Sequence, residues 1–303
     1  MTPILQFITW SVNPEVISSE NFSVRWYGIL LASGFFFAYL TLSKIFKKEN
    51  LSQQLLDKLA IWCIVWTVIG LRLAHFVFYE PQFLINHPLQ ILLPFDENWK
   101  YIGYQGLASH GAVIALILYL SYFAWKRKIN LLWLLDRLCI VIPIAAAMVR
   151  LGNLMNHEIV GSETELSWAF NFIHGGEIGK LIDGELVMFP IAGTFRHPAQ
   201  LYESLVYFAL YGFMLVYYFK ITKGNIPAGR AVGTLLTVIF TARFFIEFVK
   251  EVQVSSESVM TLNIGQWLSI PFIIIGLGFL IYSFIHKNKI PHYIEPKSET
   301  FSK

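Results

Sequence analysis

Apolar positions along this chain do not alternate, nor recur every three or four residues; they run on. A bilayer crossing needs about 20 mostly apolar residues in a row. Seven stretches qualify: roughly Trp26–Ile45, Leu59–Tyr79, Leu107–Trp125, Leu131–Arg150, Leu201–Phe219, Val232–Lys250 and Ile264–Ile285. The pattern predicts an all-α polytopic membrane protein with about seven transmembrane helices. Residues 1–24 read as an interfacial or short extended lead-in. Met1–Ser19 holds no Lys or Arg and carries Pro3 and Pro14, so a cleaved signal is not expected.

The polar connections set the orientation. Lys44, Lys47, Lys48 and Lys58 follow the first span, and Lys126, Arg127 and Lys128 the third. Lys220, Lys223 and Arg230 follow the fifth, and Lys287 and Lys289 the seventh. The other loops carry Glu80, Asp96, Glu97 and Lys100, then the acidic stretch Glu158–Glu185, then Lys250, Glu251 and Glu257. Basic loops mark the cytoplasmic side, so the N-terminus is expected outside and the C-terminus inside. One outer connection, residues 157–195, is longer and glycine-rich, with strand-like pieces at Trp168–Phe172 and Glu185–Ile191. It reads as a small outer head with too few apolar residues to build its own core. We therefore expect a single membrane domain over residues 1–285 and a polar cytoplasmic tail over 286–303. No internal repeat is visible.

Composition agrees. Hydrophobic residues make up 55% and charged residues 14%, where a soluble domain is about a quarter charged. The net charge of +3 gives no reason to expect nucleic acid. Cys63 and Cys139 both lie in apolar runs and read as packing residues. No H-E-x-x-H or similar ligand spacing occurs, so neither metal nor cofactor is expected.

Candidate chemistry sits where polar residues interrupt apolar runs, because such residues are costly in a membrane without partners or function. The densest case is Met148-Val149-Arg150-Leu151-Gly152-Asn153-Leu154-Met155-Asn156-His157-Glu158-Ile159-Val160-Gly161. Arg150 and Asn153 share a helical face. Arg72 lies within the second span, where a snorkelling or structural pairing role is open. His110 opens the third span in Gly103–Ala112 and is a candidate general base near neutral pH. Arg196-His197-Pro198-Ala199-Gln200-Leu201-Tyr202-Glu203 opens the fifth, where Glu203 also fits simple helix capping. Arg243 and Glu247 stand at pairing distance along the sixth helix. Asn263 and Gln266 fit a cap on the seventh. Several arginines at one membrane depth suggest an anion, most naturally a lipid phosphate.

These residues resemble the prolipoprotein diacylglyceryl transferase family of bacteria. The resemblance rests on Arg150-Leu-Gly-Asn153-Leu-Met-Asn156-His-Glu158-Ile-Val-Gly161, on Ser109-His110-Gly111, on Arg196–Glu203 and on Arg243-Phe-Phe-Ile-Glu247-Phe. Trp26-Tyr27-Gly28 and Gly70-Leu71-Arg72 also fit, and the match runs from about residue 22 to about 280. It departs at Ala112, where the family usually has a second glycine. The resemblance implies transfer of the diacylglyceryl group of phosphatidylglycerol to the lipobox cysteine of a preprolipoprotein in the inner membrane, with glycerol 1-phosphate released. It implies His110, Arg150 and Arg243 as catalytic residues. It implies Tyr27, Arg150, Asn153, Asn156, Glu158, Gly161, Arg243 and Glu247 as the phosphatidylglycerol site, with Glu247 holding Arg243. A transporter would also explain buried charge, but the polar residues gather at one face and no repeat halves occur. An intramembrane protease would need a second aspartate beside Asp136, a serine–histidine pair or a zinc motif.

Overall fold

A computed structural model describes residues 7–19, 22–87, 91, 93, 108–182, 185–251, 261–286 and 293. Six of its helices are long and apolar enough to cross a membrane, so the chain is a mostly helical, polytopic membrane protein. They are α1 (Trp26–Lys48), α2 (Gln53–Tyr79), α5 (Leu131–Met155), α6 (Ala199–Val216, continued by a π turn to Ile221), α7 (Arg230–Ile246) and α8 (Ile264–His286). A short α3 (Pro81–Asn86) follows α2. A further long helix, α4 (Ser109–Arg127), has 19 residues, and its apolar run is cut short by His110 at one end and Lys126 at the other.

The fold divides into two compact units, residues 1–42 with 135–289 and residues 43–134 with 290–303. In the second unit α2 and α4 run antiparallel, with Trp66 stacked on Tyr119. Their backbones meet at Gly70 and Gly111, where a Cβ on either residue would run into the other's carbonyl oxygen. Arg72 is buried there. Its Nε donates to the carbonyl of Ile91 at 2.7 Å and its Nη2 to that of Leu93 at 3.1 Å, and the guanidinium lies over the Phe76 ring. Arg72 therefore holds the backbone at Ile91 and Leu93, the structural alternative of the two the sequence left open.

In the first unit α7 and α8 pack antiparallel, with Phe240 stacked on Phe272. The start of α7 is capped from α5: the fully buried Asp136 carboxylate accepts the N–H groups of Gly229, Ala231 and Val232 at 2.8–3.1 Å. These are donors a helix start leaves unpaired. Asn263 and Gln266 cap α8 reciprocally, each side chain accepting the other's backbone N–H.

The head is a set of short strands on the end of α5. Its strands β4 (Phe170–Phe172) and β6 (Glu185–Pro190) fall inside the expected stretches, joined by β5 (Glu177–Ile182) and β7 (Phe195–Arg196). The N-terminal residues prove to be more than a lead-in. They form β1 (Ile8–Trp10) and the hairpin of β2 (Glu15–Ser19) and β3 (Phe22–Arg25). β1 pairs parallel with β4, Ile8 opposite Phe170, and β4 pairs antiparallel with β7. The head has too few apolar residues for a core of its own, and it borrows. Val160, Phe170, Phe172 and Ile191 close over Leu151 and Leu154 of α5 and Trp10 of β1, and the Trp10 indole donates to the Leu154 carbonyl at 3.1 Å.

Candidate functional site

The site is built on the way α5 stops. The Glu158 N–H reaches back to the Asn153 carbonyl at 3.1 Å, and the His157 N–H to that of Leu154 at 3.2 Å. This is the Schellman pairing, which needs a left-handed residue at its corner, usually glycine. His157 takes that corner at φ +55°, and Ile159 follows at φ +58°. A β-branched residue there is a strained outlier. His157 is held by burial and by a 2.8 Å contact from its Nε2 to the Val12 carbonyl. Burial, and the neighbouring His174, keep its imidazole below the usual histidine pKa, against the opposing pull of the Val12 bond.

The tight turn folds Glu158 back over the helix end. Its carboxylate accepts the Asn153 side-chain amide at 2.8 Å and that of Asn156 at 3.3 Å, and its backbone carbonyl accepts Gln200 Nε2 at 2.6 Å. From Asn153 the chain of contacts continues inward. Arg150 Nη1 donates to Asn153 Oδ1 at 3.3 Å, and Arg150 Nε meets Glu203 Oε2 at 2.7 Å. Glu203 is fully buried on α6. Its other oxygen faces Lys250 Nζ at 3.6 Å, and Lys250 in turn faces Glu247 at 3.5 Å. One polar line thus links α5, α6 and the end of α7. Tyr27 lies across Gly152, close enough to Glu158 and Arg150 to feel both charges. Beside the turn opens a polar cleft of about 330 Å³ edged by Asn13, Arg25, Asn156, Glu158 and His174.

Gly161 is where the head meets the bundle. It bridges to Lys250, and its N–H donates to the His197 carbonyl at 2.9 Å. A Cβ there would lie 2.5 Å from both His197 Cβ and the Val249 carbonyl oxygen. Arg196 seals the same seam. It is fully buried, with Glu251 at 2.6 Å, Glu163 at 3.1 Å and Thr194 at 2.7 Å. It is spent on the head and does not join an anion site.

Arg243 differs from what its spacing predicted. No Arg243–Glu247 ion pair forms: the Glu247 N–H still bonds the Arg243 carbonyl, but the Glu247 carboxylate lies against Gly265 of α8 and faces Lys250 at 3.5 Å. Among the described residues Arg243 makes no hydrogen bond or ion pair, and it is only half-buried. Tyr207, one turn beyond Glu203, hydrogen-bonds Arg150 and lies near enough to Arg243 to feel its charge. Tyr207 and Lys250 were not singled out from sequence; the three-residue step from Glu247 to Lys250 was the available sign. Glu203 was read as a possible cap, yet no side chain caps α6.

His110 belongs to the second unit. It is exposed on the first turn of α4, with its ring edge-on to Phe78 at 5.3 Å. Ala112, the departure from the family pattern, is buried in the same helix. Residues 103–107, which precede His110 in that stretch, lie outside the described residues.

Residues 14–282 match the prolipoprotein diacylglyceryl transferase family. The chain is 41% identical over 286 residues to phosphatidylglycerol–prolipoprotein diacylglyceryl transferase of Bacteroides fragilis, covering 93% of this chain and 97% of the relative. The protein of the same name from Tolumonas auensis is 37% identical over 275 residues, covering 90% and 96%. That from Chloroherpeton thalassium is 36% identical over 278 residues, covering 91% and 94%.

Proposed function

The chain belongs to the prolipoprotein diacylglyceryl transferase family, and from that premise we propose its reaction: transfer of the sn-1,2-diacylglyceryl group of phosphatidylglycerol to the lipobox cysteine of a preprolipoprotein, the first step of lipoprotein maturation. The bond that breaks joins the sn-3 carbon to a phosphate oxygen. The cysteine sulfur takes the carbon and forms a thioether. The oxygen keeps the bonding pair, and glycerol 1-phosphate leaves as a phosphate monoester. The thiol proton passes to a base, since the thiolate is the nucleophile.

The leaving phosphate gains negative charge as the bond breaks. Cations placed there hold the transition state more tightly than the ground state. We assign Arg150 and Arg243 to that phosphate. Asn153, Asn156, Glu158, Gly161 and Tyr27 shape the head-group site, and Glu247 belongs to its electrostatic frame. His110 is the proposed base for the thiol. The observation that carries the reading is Arg243, a half-buried guanidinium with no anionic partner among the described residues, beside the Tyr207 that binds Arg150. A cation in that setting calls for a ligand anion.

We further read α4 as a seventh span, with the N-terminus outside, the C-terminus inside and the head outside. The β1–β4 pairing supports this, since it puts the start of α1 and the end of α5 on one side. Crossings by α1, α2 and α5 alone would leave those ends on opposite sides; a crossing by α4 restores the count. The cationic loops after α1, α4 and α6 agree. In this reading residues 1–285 act as one multi-pass domain of the bacterial cytoplasmic (inner) membrane, with 286–303 as its cytoplasmic tail.

Mass spectrometry of a lipobox peptide incubated with the purified protein and phosphatidylglycerol tests the reaction. A gain of one diacylglyceryl group is expected, and an unmodified peptide would overturn the reading. Arg243→Ala should lose both lipid affinity and turnover. His110→Gln at wild-type turnover would remove the histidine from the base role.

A further inference from the structure

Lys250 is a buried lysine outside every motif that marks the site. Its side chain is 5% exposed, between Glu203 Oε1 at 3.6 Å and Glu247 Oε2 at 3.5 Å. Its backbone is fixed by the bridge to Gly161 and by its own N–H to the Glu247 carbonyl at 3.3 Å. An ammonium that has lost water is costly unless carboxylates face it. Here two do, and each has a second claimant.

Glu203 is shared with Arg150 at 2.7 Å. Glu247 sits four residues after Arg243, the spacing at which a carboxylate on a continuous helix would neutralise that arginine. The order Arg150, Glu203, Lys250, Glu247 alternates in sign and sums to zero. Arg243 stands outside it, with its charge uncommitted among the described residues.

We infer that Lys250 is a positioning residue for the transfer: it draws Glu247 off Arg243 and shares Glu203, so that the guanidinium charge of Arg243 stays available to the lipid phosphate. The inference rests on the phosphate assignment proposed above. Without the ammonium, Glu203 would keep Arg150, and Glu247 would lose its ion-pair partner. Glu247, 12% exposed and short of a cation, would then be open to Arg243, one helical turn back on α7. The phosphate would meet a neutralised arm. The lipobox thiol is uncharged when it arrives and would not feel this loss in the same way.

The test uses the full chain in detergent with phosphatidylglycerol and a lipobox peptide, comparing wild type, Lys250→Met, Lys250→Gln and Lys250→Arg. The neutral variants should raise KM for phosphatidylglycerol by roughly ten- to a hundredfold, the span of one lost charge-assisted contact. KM for the peptide should stay near wild type, and Lys250→Arg should restore the lipid KM. Inhibition by glycerol 1-phosphate should weaken in the same two variants and return in Lys250→Arg. An unchanged lipid KM in a folded neutral variant would overturn the inference, as would an equal rise in both KM values. Failure of both neutral variants to fold would make the lysine architectural only and overturn it too. An inactive wild type, by contrast, would overturn the reaction itself.

Discussion

Arg150 and Glu203 form an ion pair at 2.7 Å in which the carboxylate is fully buried and the guanidinium 17% exposed. The same arginine uses a second nitrogen for Asn153. A lysine could supply the charge but could not reach Glu203 and Asn153 from two separate nitrogens. Arg150→Lys should therefore fold yet lose most turnover with phosphatidylglycerol. Glu203→Gln should do worse, because removing one partner of a buried pair costs about 3–5 kcal/mol. Thermal unfolding in detergent beside a transfer assay separates the two; equal thermal stability of both variants would count against the pair as drawn.

The α2–α4 crossing makes a stability prediction independent of chemistry. Gly111→Ala puts a methyl group against the Gly70 carbonyl, and a backbone cannot step aside as a side chain can. The helices must part, at about 1–3 kcal/mol for an overpacked contact. Gly278→Ala in α8 meets nothing within 4 Å and should leave the melting temperature unchanged or slightly raised.

Acid should loosen the head. The folded state holds His157 below the usual histidine pKa, so the fold favours the neutral ring. The stability this contributes is present above the unfolded value, about 6.5, and is lost as pH falls through the lower folded value. Protection factors of the β1 and β4 amides, referred to the intrinsic exchange rate at each pH, should fall as pH drops below about 6. His157→Asn, able to hold the left-handed corner without titrating, should flatten that dependence. Protection factors unchanged across that pH range in wild type would show that His157 does not titrate against the fold.

Much of this was legible in the residues. Continuous apolar runs mark the spans, and the Arg150–Gly161 stretch announces itself by its cost in a membrane. What stayed hidden depends on backbone detail. The left-handed corner falls on histidine, not on a glycine that would have signalled it. Glu247 leaves Arg243 because its carboxylate faces Lys250 and packs against Gly265, which a four-residue spacing does not reveal. Glu203 looks like a capping acid until its position on α6 is set beside Arg150. Lys250 reads as one more loop charge until the Gly161 bridge shows it turned inward.

The parallel pairing of β1 with β4 also orders events during synthesis. Ile8 is made early, but Phe170, its partner, emerges 162 residues later. At about 5–20 residues per second that is a wait of roughly 8–32 s. Trp10 waits first for the Leu154 carbonyl it will bind, and then for β4 to pair its strand. The head is therefore sealed only after α5 is complete, and the site at that helix end cannot close around an incomplete chain.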